Sequence, residues 1–320
     1  MAEKKESKKT KELKDKLTRE PVRCWDAFSA AETEKAYTYA HAYKEFLNQA
    51  RTERKAVRFI SDMATENGFQ TIPAKASKAK KVYQISRGKF LALAVIGRKP
   101  MTHGVRIITS HVDCPRLDLK PNPLFEEAGL AFFKTHYYGG IKKYHWVGRS
   151  LALCGTVFRA DGVQVDVELG FAPDEPIVTI PDLLPHLSRK MMDQKASEFI
   201  PAENLNLLVG GIPYGDKDAG DRSKLAILDL LNKKYGLKEE DLIGAEIEVV
   251  PAEPARDAGL DAGLIAGYGQ DDRICVYTSL TALVETDQPE YTSVAVFYDK
   301  EEVGSEGNTS AKSRVFEGFL

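Results

Sequence analysis

Three short clusters of acidic and imidazole side chains could carry metal-dependent chemistry. They are His111-Val112-Asp113, Asp271-Asp272-Arg273 and Glu301-Glu302. A metal-bound imidazole needs a partner on its other ring nitrogen, and Asp113, two residues after His111, would lie on the same side of a strand. The carboxylate of Asp271 could bridge two divalent ions. Of the adjacent glutamates, Glu302 could bind a metal while Glu301 stays free as a base.

Each cluster taken alone has a more ordinary explanation. A His-x-Asp pair is often a surface or helix-cap pair, and adjacent glutamates are usually solvated. Two aspartates and an arginine before a helix often form an N-cap with charges that suit the helix dipole. The order of the clusters and the strands that precede them favour a shared metal site over these separate explanations.

Apolar segments place the clusters at the ends of predicted elements. Val105 to Ser110 predicts a strand that ends at His111, and Thr292 to Tyr298 predicts one that ends just before the glutamates. Phe90 to Ile96 is continuously apolar, as in a strand buried on both faces. In open α/β sheets, sites form at the carboxyl ends of strands, so the clusters could converge although they are far apart in sequence.

Helical patterns flank these strands. Apolar residues from Ala36 to Ala50 recur at steps of three and four and predict one helix, and a second is predicted from Glu53 to Asn67. A further helix is predicted over Ile274 to Val284. The charged segment Met1 to Glu20 is expected to be a frayed helix or disordered.

The middle of the chain has a different pattern. Valines at 163, 165 and 167 alternate with polar residues after the Asp161-Gly162 turn, which predicts antiparallel, half-exposed β structure. Helical pieces are predicted around Leu183 to Lys195 and Ser223 to Tyr235. The sequence therefore predicts an α/β fold in which residues 118–252 form an inserted domain between segments 1–117 and 253–320.

Composition excludes several classes of function. The 320 residues are 43% hydrophobic, and a net charge of −2 gives no overall attraction to nucleic acid or to anionic membranes. There is no apolar segment of transmembrane length and no signal-peptide core near the start, which predicts a cytoplasmic protein. The four cysteines are widely spaced and predict reduced thiols. Neither phosphate-binding glycine loops nor a Gly-x-Ser-x-Gly motif occur.

The motifs together resemble the M18 family of metalloaminopeptidases, the aspartyl aminopeptidase relatives, and within it the bacterial aminopeptidase 1 branch. The segments that carry this resemblance are Ser110 to Asp113, Asp271 to Arg273, Tyr298 to Ser305, Tyr43 to Leu47 with Thr52 to Arg54, Tyr138 to Gly140, and Pro181 to Leu187. The resemblance carried by these segments extends over nearly all of the chain after about residue 22. The Tyr-Asp-x-Glu-Glu-Val-Gly-Ser string is the most specific of them.

The resemblance implies a dinuclear-zinc exopeptidase-like α/β/α sheet domain with an inserted β-rich domain for dimerisation or for covering the site. It implies two divalent metal ions, with zinc favoured over cobalt or manganese, bound by His111, Asp271 and Glu302. Asp113 would orient His111, and Glu301 would be the general base. His186 would reach the active site of a neighbouring subunit and help to hold the oxyanion. Peptide substrates and a large homo-oligomer, a dodecamer, are also implied.

One departure from the family pattern affects these expectations. The family supplies an aspartate and a histidine beyond the glutamate pair, whereas residues 303–320 contain neither. The sequence therefore predicts that the C-terminal third of a family member is absent, with weak metal retention and little activity in this form. Two alternatives stay open: a non-catalytic remnant that acts in assembly or interaction, and another two-metal hydrolase such as a deacylase.

Overall fold

The computed structural model describes residues 7–72 and 79–319 and divides the chain into two compact units, residues 1–42 and 43–320. The first unit contains α1 (Lys8–Leu17), α2 (Cys24–Ala27) and the start of α3 (Ala30–Gln49). The hydroxyl of Ser7 caps α1 by accepting the amide of Thr10, and no residue of α1 is buried. The charged start of the chain is thus helical from Lys8, while residues 1–6 lie outside the described residues.

The remaining elements belong to the second unit. The helices are α4 (Glu53–Glu66), α5 (Arg189–Met192), α6 (Arg222–Tyr235) and α7 (Gln270–Val284). The strands are β1 (Gln70–Thr71), β2 (Lys81–Ser86), β3 (Phe90–Val95), β4 (Val105–His111), β5 (Arg116–Glu127), β6 (Leu130–Tyr138), β7 (Leu151–Phe158), β8 (Gln164–Leu169), β9 (Leu207–Gly210), β10 (Glu246–Pro251), β11 (Arg256–Ala258), β12 (Leu264–Ala266) and β13 (Thr292–Tyr298).

A five-stranded sheet positions the ends of two motif-bearing strands side by side. Its order is β1-β2-β3-β13-β4. β13 runs antiparallel to β3 and parallel to β4, in a register that pairs Tyr298 with His111. Since parallel neighbours end at the same edge of a sheet, the segments that follow β4 and β13 emerge together.

The two faces of this sheet are covered by different parts of the chain. One face packs against α4, α7 and the end of α3, where the buried ring of Phe46 lies 5.3 Å from that of Tyr277. The other face is lined by Phe90 and Val296, against which Phe316 packs. β3 is buried over its whole length, as its apolar sequence predicts.

A six-stranded antiparallel sheet holds the strands between Arg116 and Pro251, in the order β8-β7-β10-β5-β6-β9. Its core includes Leu117, Leu151 and Val249, and the apolar face of α6 packs on it. The strand predicted from the alternating valines is β8, paired antiparallel with β7. The domain boundaries at 117/118 and 252/253 stay a prediction.

The helix predicted around Leu183 to Lys195 is wrong for most of its length. Only α5 (Arg189–Met192) is helical there, preceded by turns. Pro185 disfavours a helical conformation in the residue before it, which keeps Leu183 and Leu184 out of a helix, although a helix could have begun at the proline itself. Within the described residues, no helix is both long and apolar enough to cross a membrane.

Candidate metal centre

His111, Glu301 and Glu302 come together at the ends of β4 and β13. One potential donor atom from each of these side chains lies within 4.8 Å of the others. The glutamates form a short 3-10 turn, Glu301–Val303, directly after β13 and Lys300. The parallel register of the two strands therefore explains why residues almost 200 positions apart become neighbours.

Asp271 approaches the same imidazole from α7. Its Oδ1 lies 3.3 Å from His111 Nε2, and Oε2 of Glu301 lies 3.8 Å from the same nitrogen. The carboxylates of Asp271 and Glu301 are both largely exposed, whereas the imidazole is mostly buried. Asp271, a predicted ligand, and Glu301, the predicted base, thus lie close to Nε2 of His111, and Glu302 lies near His111 and Glu301 in the three-residue cluster.

The hydrogen-bond partners of His111 determine its tautomer. Nδ1 lies 3.0 Å from the backbone oxygen of Asp113 and 3.3 Å from its Oδ1. Both atoms can only accept, so Nδ1 carries the hydrogen and Nε2 faces the exposed carboxylates, as a metal ligand requires. Burial lowers the pKa of His111, but the hydrogen bond and charge of Asp113, with the charges of Asp272 and Glu301, outweigh burial and raise the pKa to about 9, so a metal would have to displace a proton from Nε2 at neutral pH.

Asp113 organises more of the site than the sequence predicts. Its side chain is fully buried, and its carboxylate accepts the backbone amides of Glu301 at 3.2 Å and Glu302 at 3.1 Å. It also accepts the hydroxyl of Tyr138 at 2.9 Å. Burial raises the pKa of Asp113, but the hydrogen bonds from His111, Tyr138 and the Glu302 amide outweigh it, and the pKa is lowered. Asp113 is therefore ionised and fixes three other residues of the site.

The start of α7 is anchored to the strand segment that carries His111. The buried guanidinium of Arg273 donates to the backbone oxygens of Ala50 and Val112. A carboxylate oxygen of Asp272 accepts the amide of His111 at 3.3 Å. The peptide bond between Asp271 and Asp272 is cis, and both residues have non-helical backbone angles. These contacts hold the Asp271 side chain beside the imidazole.

The structure also gives the surroundings of His186, Cys114 and Glu302. His186 is exposed in the turn before Ser188, and the contacts of His111 given above do not involve it. Cys114 is buried, and burial raises the pKa of its thiol to about 11, which fits the reduced packing cysteine that its spacing predicts. Burial also raises the pKa of Glu302.

Tyr138 is a residue of the site that the sequence does not predict as one, and its only sequence signal is the Tyr-Gly-Gly segment at the end of a strand.

This donor set fits a divalent metal. One imidazole with its second nitrogen backed by a carboxylate, facing several carboxylates, is a ligand set that suits zinc, cobalt or manganese. An α/β sheet that carries such donors at the carboxyl ends of parallel strands has the arrangement of a metal-dependent hydrolase.

Comparison with known proteins gives the family. The sequence model of the aminopeptidase I zinc metalloproteases (M18) matches residues 46–320, and the chain belongs to this family. It is 41% identical over 310 residues to a probable M18 family aminopeptidase 1 of Clostridium acetobutylicum, covering 95% of this chain and 67% of the relative. A protein of the same description from Thermotoga neapolitana is 45% identical over 285 residues, 88% of this chain and 62% of the relative.

Solved structures agree with this assignment. The M18 aminopeptidase of Thermotoga maritima superposes with a TM-score of 0.89 at 42% identity, over 95% of this chain and 66% of that one. A more distant structure, the S. cerevisiae mApe1 dodecamer, has a TM-score of 0.68 at 21% identity, over 88% of this chain and 64% of that one, and shows the fold alone. The chain spans about two thirds of the length of the relatives that it matches.

Proposed function

We propose that this chain provides the catalytic residues of a metal-dependent aminopeptidase that removes the N-terminal residue from peptides. The observation that carries the proposal is the orientation of His111. Its Nδ1 is bonded to Asp113, and its Nε2 faces the carboxylates of Asp271 and Glu301 at 3.3 and 3.8 Å. Membership of a family of zinc metalloproteases supports the same conclusion.

His111, Asp271 and Glu302 are the proposed metal ligands, for two divalent ions of which zinc is favoured. When bound, the ions lower the pKa of a coordinated water and polarise the peptide carbonyl. Glu302 is held from behind, because its amide donates to Asp113, while its carboxylate belongs to the three-donor cluster. Asp271 projects from the start of α7 and is exposed on the side that Nε2 faces.

Glu301 is the proposed general base. Its amide is fixed by Asp113, yet more than half of its side chain is exposed, so the carboxylate is free to accept a proton from a water molecule in the opening. The same carboxylic acid can then give that proton to the leaving amine. Because Glu301 and Glu302 have different surroundings, the adjacent glutamates are suited to different tasks.

His186 and self-association complete the proposal. His186 is exposed in a turn, as the proposed role in a neighbouring subunit requires. The S. cerevisiae relative described above is a dodecamer, which supports assembly into a large homo-oligomer. Peptide substrates and a cytoplasmic location are part of the same proposal.

The base assignment is tested with Glu301→Gln. Because little activity is predicted for these 320 residues alone, the assay uses a zinc-loaded form extended to the length of the M18 relatives, on aminoacyl p-nitroanilides, with zinc content measured in parallel. We expect chelators to abolish hydrolysis, and we expect Glu301→Gln to lower turnover by roughly 10²–10⁴-fold while zinc is retained, since proton transfer by a positioned base contributes that much. Glu306→Gln, at an exposed glutamate paired with Lys312, is the matched control.

Two results would count against the proposal. Undiminished turnover in Glu301→Gln would refute the role of Glu301 as base. Hydrolysis of N-acyl amino acids without hydrolysis of aminoacyl substrates would favour the deacylase alternative.

A further inference from the structure

The end of β6, in the six-stranded sheet, contacts the metal centre through two consecutive residues. The hydroxyl of Tyr138 donates to Oδ2 of Asp113 at 2.9 Å, and Gly139 lies against the side chain of Glu302. We infer that Tyr138 and Gly139 are positioning residues for the metal-binding side chains: Tyr138 holds Asp113, and Gly139 leaves the space that Glu302 needs. The inference rests on the proposed metal site and adds residues to it.

Tyr138 is itself held in place. Its ring stacks on the guanidinium of Arg116, whose central carbon lies 3.8 Å from the ring centroid. Arg116 is buried, and its Nε lies 2.8 Å from Asp118 Oδ1 and 3.2 Å from Glu248 Oε2. A ring fixed by a buried arginine has little freedom to rotate, so its hydroxyl is presented to Asp113 in one direction.

The hydroxyl of Tyr138 is one of a small set of donors to a fully buried carboxylate. Oδ2 of Asp113 accepts from Tyr138 and from the amide of Glu302, while Oδ1 accepts from the amide of Glu301 and faces the imidazole of His111. Removing one donor to a buried charge weakens the geometry of the others, because the carboxylate can rotate. Tyr138 therefore acts on His111 and on both glutamates through Asp113.

Gly139 acts by its small size. Its φ is +72°, and a Cβ added there would lie 3.1 Å from Cβ and 3.4 Å from Oε2 of Glu302. Any side chain at this position would push on the glutamate. Gly148 has a similar φ of +66° but no heavy atom within 4 Å of a Cβ added there, so it separates the backbone cost from the steric effect.

Amide hydrogen exchange in the metal-free protein tests the role of Tyr138. Tyr138→Phe keeps the ring on Arg116 and removes only the hydroxyl. We expect exchange at the amides of Glu301 and Glu302 to become about tenfold faster, because the carboxylate that accepts them loosens. Amides of β3 should be unaffected. Tyr137→Phe, at the neighbouring exposed tyrosine, should leave both glutamate amides unchanged.

Binding of Co²⁺, followed by its visible spectrum, tests whether positioning reaches the metal. We expect Tyr138→Phe to weaken binding by roughly 10–100-fold, as loss of a partner behind a ligand does. Gly139→Ala should weaken it well beyond Gly148→Ala. Unchanged exchange at both glutamate amides overturns the inference whatever the cobalt result, and faster exchange with unchanged cobalt affinity overturns its extension to the metal.

The proposed function fails in a different way. If wild type binds no Co²⁺, or if His111→Ala binds it equally well, the metal site is refuted. The exchange experiment then still decides whether Tyr138 positions Asp113, since it is made without metal.

Discussion

Replacing Arg116 with methionine should cost far more stability than replacing an exposed arginine. Arg116 is the first residue of β5, and its Nη1 is 3.5 Å from Oε2 of Glu53, the first residue of α4. The other oxygen of Glu53 lies 2.8 Å from Nζ of Lys89. Glu53 is only 1% exposed and Arg116 5%, so water cannot replace either partner.

The charges of this network set the size of the effect. Burial raises the pKa of Glu53, but Arg116 and Lys89 outweigh it and hold the pKa well below its usual value. Burial raises the pKa of Glu248 well above its usual value. Arg116→Met removes one of the two cations that hold the buried carboxylate of Glu53 in its ionised form and leaves it with Lys89 alone. Removing one partner of a buried pair costs about 3–5 kcal/mol.

Chemical denaturation of the metal-free protein measures this difference. Arg58 pairs with Asp166 at 2.9 Å, but 61% of its side chain is exposed. Arg58→Met should therefore change the free energy of unfolding by at most about 1 kcal/mol. A double-mutant cycle with Glu53→Gln should show a coupling of about 0.5–3 kcal/mol, because the double variant no longer buries the unpaired glutamate. Equal costs for Arg116→Met and Arg58→Met, or strict additivity in the cycle, would refute this reasoning.

Two further predictions concern stability. Burial, and after it the charge of Glu53, raise the pKa of buried Asp299 to about 6 from an ordinary value of 3.8, so the contribution of Asp299 to native stability should fall as pH rises between these values. Because Asp299→Asn cannot ionise, its free energy of unfolding in urea should rise relative to that of the wild type as pH increases across this window. A difference between the two proteins that does not change with pH would contradict this. A Cβ on Gly155 would overlap the carbonyl oxygen of Glu246, whereas Gly140 has open space. Gly155→Ala should therefore lower the free energy of unfolding by at least about 1–3 kcal/mol, whereas Gly140→Ala should melt near the wild-type temperature. Equal melting temperatures for the two variants would argue against the overlap at Gly155.

The strands next to the site could be predicted because their sequences are simple. Thr292 to Tyr298 and Val105 to Ser110 are apolar segments that end in charged residues, and the structure has β13 and β4 there. β13 fits the continuous apolar pattern of a strand buried on both faces, whereas Ile107 and Ile108 of β4 are about half exposed at the edge of the sheet. The candidate donors His111, Glu301 and Glu302 lie together at these strand ends because β4 and β13 are parallel and adjacent.

The segment from Leu183 to Lys195 shows that helical spacing of apolar residues does not by itself predict a helix. Its leucines occur at helical spacing, yet Leu183, Leu184 and Leu187 are all exposed in the described structure. Apolar spacing predicts a helix only when a surface is available to bury the apolar face. Pro185 in addition disfavours a helical conformation at Leu184.

The contacts between elements that are far apart in sequence could not be predicted from the sequence. Tyr138 and Asp113 are 25 residues apart, and Arg116 and Glu53 are 63 apart, on elements whose pairing follows from the packing of β5, β6 and α4. Periodicity tells which face of a strand a side chain occupies, but it does not tell which polar atom will be opposite. A buried tyrosine hydroxyl next to a glycine turn has no distinguishing pattern.

Asp113 shows that a residue can have a second structural role that its sequence motif does not predict. The His-x-Asp spacing predicts one task, to orient His111, and the contact from Nδ1 fits that task. The structure adds a second, because the same carboxylate accepts the amides of both glutamates. Loss of the Asp113 carboxylate would therefore disturb the imidazole, the proposed ligand Glu302 and the proposed base Glu301 together. A large effect of such a change could not be assigned to the histidine alone, and for that reason Tyr138→Phe, which leaves every charge in place, is the more informative substitution.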